Sequence, residues 1–245
     1  MRIRILVFVL SIIFISCSED NDVTITRNLQ EYINANSGRT LDNVIACAAN
    51  ENGNSSLSYI FYYPIIGATD MQYFETSDLT VDETNYANYS KVNLTNSDVF
   101  GGKLQRFSRS GTSETWCIVT YLTDGKLHIS NPIKLKNTSN STLWESNLII
   151  DNSQSLMPIF SWTDFGITDN AIYFQVISDV NDDFISGTYT TDNFFQYYDT
   201  SNVVLNINTE TPESLSVNTT YNFTLMAVSE DNWVNLVIQN SFVAQ

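Results

Sequence analysis

Hydrophobic and polar residues alternate along most of this chain with a period of two, and a helical period is nearly absent. The stretch TYNFTLMAVS makes the point. Tyr221, Phe223, Leu225 and Ala227 fall on one face of an extended backbone, with Asn222 and Thr224 on the other. LSYIFYY at 57–63, MQYFET at 71–76 and TWCIVTYL at 115–122 have the same character. TWCIVTYLTDGKLHIS holds two such runs joined at Thr123-Asp124-Gly125. Asp-Gly between strand-like runs marks a hairpin, because glycine takes φ > 0 without steric cost. Pro132, further along the second run, lacks an N–H and predicts a sheet edge or a bulge. Beyond residue 152 the pattern returns in MPIFSWTD, AIYFQVISD, FISGTYT, FFQYY, NVVLNIN and a long closing pair around SEDN. A short helical stretch at 28–34, ending near Gly38, is the exception. Strands separated by polar turns, with no long amphipathic helix, predict an all-β protein built as sandwiches.

The strand-rich parts form two blocks, 41–136 and 153–245, with a Ser/Thr/Asn-rich linker at 137–152 between them. A chain of 245 residues has room for two domains. The blocks end alike. Thr115-Trp116 and Thr220-Tyr221 each open a strand that runs to a polar turn and a closing strand, a weak internal repeat.

The first residues read differently. Arg2 and Arg4 precede an apolar run from Leu6 to Ile15, which is too short to span a bilayer needing about 20 apolar residues. It reads as the core of an export signal, residues 1–16. It ends Phe14-Ile15-Ser16-Cys17, which resembles a bacterial lipobox. That resemblance implies lipidation of Cys17 and anchoring by acyl chains, each buried methylene contributing about 0.8 kcal/mol. Ser18-Glu19-Asp20-Asn21-Asp22 follows at the head of an acidic tether, 17–40, and is similar to the surface-export signal of Bacteroidota lipoproteins. The location this implies is the outer membrane, lipid-anchored and facing the exterior.

Charge narrows the partners. The chain carries a net −16, and from Asn137 to Gln245 there are 13 acidic residues with no Lys or Arg. Such a surface repels phosphate backbones and argues against nucleic-acid binding. It suits cations or neutral partners such as glycans. Cys47 and Cys117 are candidates for a disulfide in an exported chain, with two buried free thiols the favoured alternative.

The second block resembles a fibronectin type III or related immunoglobulin-like module. Trp162 in MPIFSWTD stands at the family's core tryptophan, Tyr173 and Phe174 match its third strand, and Tyr221-Asn-Phe223-Thr-Leu225-Met-Ala227-Val228 matches its sixth. The resemblance implies that the Tyr221 hydroxyl bonds the backbone upstream. It extends loosely to the first block, where Trp116 stands at the corner position and makes that sandwich divergent. The fold expected is two tandem immunoglobulin-like sandwiches after a lipoprotein signal and a short tether. Such a fold says little about function.

Candidate chemistry is sparse. His128 is the sole histidine, and a Ser-His-Asp hydrolase would have to use it. Asp179, Asn181 and Asp183 alternate like the start of a calcium loop, but Phe184 stands where that loop needs glycine, so a polar hairpin turn is favoured. No cofactor is expected beyond weak calcium contact in this acidic half. Trp144, Tyr197 and Tyr198 are candidates to stack on sugar rings, with core packing the favoured alternative. The expectation is a surface-anchored binding or spacer protein without catalysis, its partner a glycan or a surface protein. The alternatives are a glycan-binding accessory of an outer-membrane uptake system and a hydrolase using His128.

Overall fold

The computed structural model describes residues 26–245. Cys17 and the export segment lie outside the described residues. The chain forms two β-sandwiches, and each follows the alternation read from the sequence.

The first sandwich comprises β1 (Thr40–Val44), β2 (Ala46–Glu51), β3 (Asn54–Tyr62), β4 (Thr69–Glu75), β5 (Ser90–Val92), β6 (Thr95–Val99), β7 (Leu104–Ser110), β8 (Trp116–Thr123), β9 (Lys126–Ser130) and β10 (Ile133–Lys134). The first sheet runs β1-β9-β8-β4-β5 with β10 also on β8, and the second runs β2-β3-β7-β6. The Asp124-Gly125 hairpin joins β8 to β9, and Gly125 takes φ 72° there. Asn131 and Pro132 interrupt the closing strand between β9 and β10, both of which pair with β8.

The second sandwich comprises β11 (Leu143–Glu145), β12 (Ile149–Asp151), β13 (Ile159–Ser161), β14 (Asn170–Ser178), β15 (Phe184–Thr190), β16 (Phe194–Gln196), β17 (Val203–Asn206), β18 (Thr220–Ser229) and β19 (Val234–Val243). The third sheet runs β11-β19-β18-β14-β15-β17, and the fourth is β12-β13-β16. The repeat is topological. In each sandwich a first strand lies parallel to the second arm of the closing hairpin, β1 on β9 and β11 on β19. The next strand then crosses to the other sheet as a hairpin partner, β2 on β3 and β12 on β13.

Four apolar layers hold the molecule together. The short helix α1 (Leu29–Ala35) covers the outer face of the first sheet, burying Leu29 and Tyr32 against Phe74, Ile118 and Leu127. Ile60, Tyr62, Tyr73, Phe107 and Val119 fill the space between the first and second sheets. Phe160, Trp162, Tyr173, Phe223 and Leu225 fill the space between the third and fourth. A further layer joins the sandwiches face to face. Ala49, Phe61 and Leu104 of the second sheet meet Phe174, Val176, Met226 and Val237 of the third. Strands β14 and β18 are therefore apolar on both faces, as a central layer requires. Trp233, in the β18–β19 turn, is fully buried and belongs to the core of the first sandwich. Its Nε1 donates to the Asn140 carbonyl at 2.8 Å.

Two expectations are corrected. The tether does not extend to residue 40, because α1 docks on the first sheet and Lys91 N–H bonds the Arg27 carbonyl at 3.0 Å. The stretch 137–152 is built into the fold rather than a loose linker. Asn137 is fully buried, Thr142 Oγ1 accepts from Asn50 N–H at 2.9 Å and donates to the Val234 carbonyl at 2.8 Å, and β11 and β12 belong to the second sandwich. Cys47 and Cys117 are free thiols, the alternative favoured over the candidate bridge. They sit on opposite sides of the second sheet, Cys117 inside the first sandwich and Cys47 in the layer between sandwiches.

Candidate functional site

Face-to-face packing leaves a seam, and two concavities open along it. One is apolar, about 180 Å3, and lined in part by Cys47, Phe61, Phe174 and Tyr189. Burial raises the Cys47 thiol to about 12, so it is neutral there and no nucleophile. The other is a mixed cleft of about 410 Å3, and it is the candidate site.

The first sandwich supplies Tyr59 from β3, Arg106 from β7 and Asp98 from β6. The Arg106 guanidinium lies over the Tyr59 ring, 3.9 Å from its centroid. Tyr59 is fixed in turn by its hydroxyl, which donates to Glu51 at 2.6 Å. That bond holds the Glu51 carboxyl below the usual range and raises the Tyr59 phenol. Among the described residues no carboxylate lies within ion-pair distance of Arg106, and its buried Nε has no acceptor. A buried donor left unpaired costs about 1–3 kcal/mol.

The second sandwich supplies Trp144 from β11, Gln239 from β19 and the turn between β14 and β15. Trp144 is half-buried, and its Nε1 donates to the Asn50 carbonyl at 3.1 Å, so its edge is held by the first sandwich. In the turn, Asp179 Oδ1 accepts from Asn181 N–H at 2.8 Å and Asp183 N–H at 2.9 Å. The Asp183 amide, then that of Asn181, keeps the Asp179 carboxyl below its usual range. Those bonds make Asp179 the organiser of a tight turn, and they occupy the oxygen that a calcium loop would present to its ion. Asn181, Asp182 and Asp183 then line the cleft.

Three residues singled out in the sequence thus share one cleft, Trp144, Asn181 and Asp183. The others do not join them. Tyr197 is fully buried in the second sandwich, its hydroxyl donating to the Glu213 carbonyl at 2.5 Å, so the candidate stacking surface is absent there and the favoured core packing holds. Tyr198 is exposed but lies away from the seam. His128 is 2% exposed, stacks on Tyr121 with centroids 4.5 Å apart, and shares a 2.8 Å hydrogen bond with Thr123 Oγ1. Its other ring nitrogen lies 3.4 Å from the Asn43 carbonyl. None of the concavities described here is lined by it. Arg106 and Tyr59 escaped the sequence reading because their pairing is made across neighbouring strands, and neither stands in a motif.

No protein-family model and no curated protein sequence matches the chain. Solved structures similar to it include the glycoside hydrolase domain of Endo-D from Streptococcus pneumoniae R6, at 10% identity and a TM-score of 0.31, covering 82% of this chain and 33% of that one. The receptor tyrosine kinase Torso is 11% identical with a TM-score of 0.23, covering 88% of this chain and 84% of that one. The adhesin InvE from Yersinia pseudotuberculosis is 12% identical with a TM-score of 0.18, covering 82% and 58%. Likeness at this level carries no argument about function.

Proposed function

We propose that this chain is a lipid-anchored cell-surface binding protein without catalytic activity, held in the outer membrane by acyl chains on Cys17 and facing the exterior. The anchor rests on the lipobox-like ending at Cys17, and the observation that carries the binding reading is the preformed seam cleft. It offers two aromatic side chains, a guanidinium and a rim of amides and carboxylates on a rigid double sandwich. Preorganised polar groups on strands favour recognition, because little ordering is left to do when a ligand arrives. The imidazole that a hydrolytic triad would need is committed to Thr123 and Tyr121 inside the first sandwich. The acidic surface favours neutral or cationic partners over nucleic acid.

The test is fractionation. The wild-type protein is expected in the outer-membrane fraction, cleavable by protease added to whole cells and carrying diacylglycerol on Cys17 by mass spectrometry. Cys17→Ser is expected to release it into the soluble fraction. An unacylated wild-type protein, or one that protease reaches only after lysis, defeats the proposal.

A further inference from the structure

The second sandwich has unequal sheets, six strands against three. Three strands, spaced about 4.8 Å apart, cannot cover the inner face of six. The uncovered end is β15 and β17, and there the inward-facing residues change character. Nearer the middle of the third sheet that face carries Tyr173, Ile177, Phe223 and Leu225. Toward the edge it carries Gln175, Thr188 and Asn206, aligned side by side across β14, β15 and β17. Gln175 is fully buried, Thr188 is 3% exposed and Asn206 is exposed. The polar stripe therefore runs from the core outward into a concavity of about 560 Å3. That volume lies within the range of small-molecule sites, about 300–1,000 Å3.

A sandwich interior gains stability from apolar residues at such positions, and polar ones there cost free energy unless they are satisfied. Within the stripe Gln175 Nε2 donates to Thr190 Oγ1 at 2.9 Å and Thr188 Oγ1 donates to Gln175 Oε1 at 3.4 Å, while at the exposed end Asn206 Oδ1 accepts from Asn208 N–H at 2.7 Å. Opposite it, the chain after β16 brings Tyr198, Asp199 and Thr200 over the hollow, and Glu210 closes the rim. Tyr198 is 44% exposed and holds φ 73°, a left-handed conformation that a non-glycine residue adopts at a cost. Its ring lines the mouth, one side tilted against the Tyr197 ring with centroids 5.8 Å apart.

We propose that this hollow binds a neutral saccharide. Hydroxyl and amide groups on one wall match a ligand with many hydroxyls, and the Tyr198 ring offers a face for the C–H side of a sugar. Asp199 and Glu210 accept hydrogen bonds from hydroxyl groups and repel anionic sugars, and no Lys, Arg or His lines the hollow. The inference goes beyond the seam cleft and rests on the chain being a binding protein.

The experiment is titration of the purified protein with an array of neutral, uronic-acid and sulfated oligosaccharides and with a lysine-rich peptide, with product analysis of any sugar that binds. Binding of a neutral oligosaccharide is expected, weakened about tenfold by Tyr198→Ala. Thr188→Val is expected to weaken it as well while the thermal midpoint stays equal or rises. If Thr188→Val loses stability, Tyr198→Ala alone decides, since its side chain is exposed. No saccharide binding, binding confined to anionic sugars, retention of the peptide alone, or unchanged affinity in Tyr198→Ala overturns the proposal. A bound sugar that is also cleaved leaves the hollow standing and removes the non-catalytic reading. An empty array with a lipidated protein at the cell surface removes the hollow alone.

Discussion

Trp233 ties the two sandwiches together through a single side chain. It leaves the hairpin of one sandwich and fills the core of the other, and its indole N–H is bonded to the Asn140 carbonyl. Trp233→Ala is expected to destabilise the protein by about 3–5 kcal/mol, measured by denaturant unfolding. The Tyr221 hydroxyl accepts from Ser216 N–H at 3.0 Å, the upstream backbone bond that the resemblance implied. Tyr221→Phe removes that single bond and should cost about 1 kcal/mol in the same assay. Cys117 is buried, and desolvation raises its thiol from 9.0 to about 12. Tyr73 and Tyr189 are raised by burial too. Each of these groups is neutral when protonated and holds its proton more tightly folded than unfolded. Their contribution is thus complete below the unfolded thiol value and is lost as pH rises through the folded one. Stability should be level near neutrality and fall from about pH 9 upward, checked by thermal melts across pH. Cys117 should resist a bulky thiol reagent until the protein unfolds.

At the scale of elements, local chemistry explains the pieces it could reach. Helix α1 starts where Asn28 Oδ1 accepts from Glu31 N–H at 2.9 Å, and it persists because Leu29 and Tyr32 are buried. Its seven residues are too few to be stable alone. Leu29→Ala is expected to cost about 2–5 kcal/mol and to expose the 27–29 segment to rapid amide exchange. The 137–152 stretch misleads in the opposite sense. Its Ser, Thr and Asn residues are those of a flexible joint, yet Asn137 and Thr142 use their side chains to tie buried backbone, and β11 pairs with β19. Composition gives the polarity of such residues but not whether a partner lies within reach.

At the scale of the molecule, four sheets and a helix stack with an apolar layer between each pair of neighbours, so the sandwiches do not behave as beads on a string. One cooperative unfolding transition is expected, with calorimetric and van't Hoff enthalpies in agreement. The second sandwich expressed alone should expose Phe174, Val176, Met226 and Val237, bind a hydrophobic dye and aggregate. Two separate transitions in the full chain would contradict the welded seam. By itself the sequence determined the longer strands, among them β3, β4, β8 and β18, the hairpin at Asp124-Gly125, the inward set Tyr221, Phe223, Leu225 and Ala227, and the division into two all-β blocks. Those features follow from side-chain alternation and from backbone preferences a few residues long. Only the tertiary structure decided that Phe174 and Met226, on the outer faces of their strands, are interior, and that Arg106 meets Tyr59 beside Trp144. It also decided that polar residues at the edge of the third sheet line a hollow. Each of these depends on which face meets which across long stretches of chain, and the period of two along a strand does not record what lies opposite.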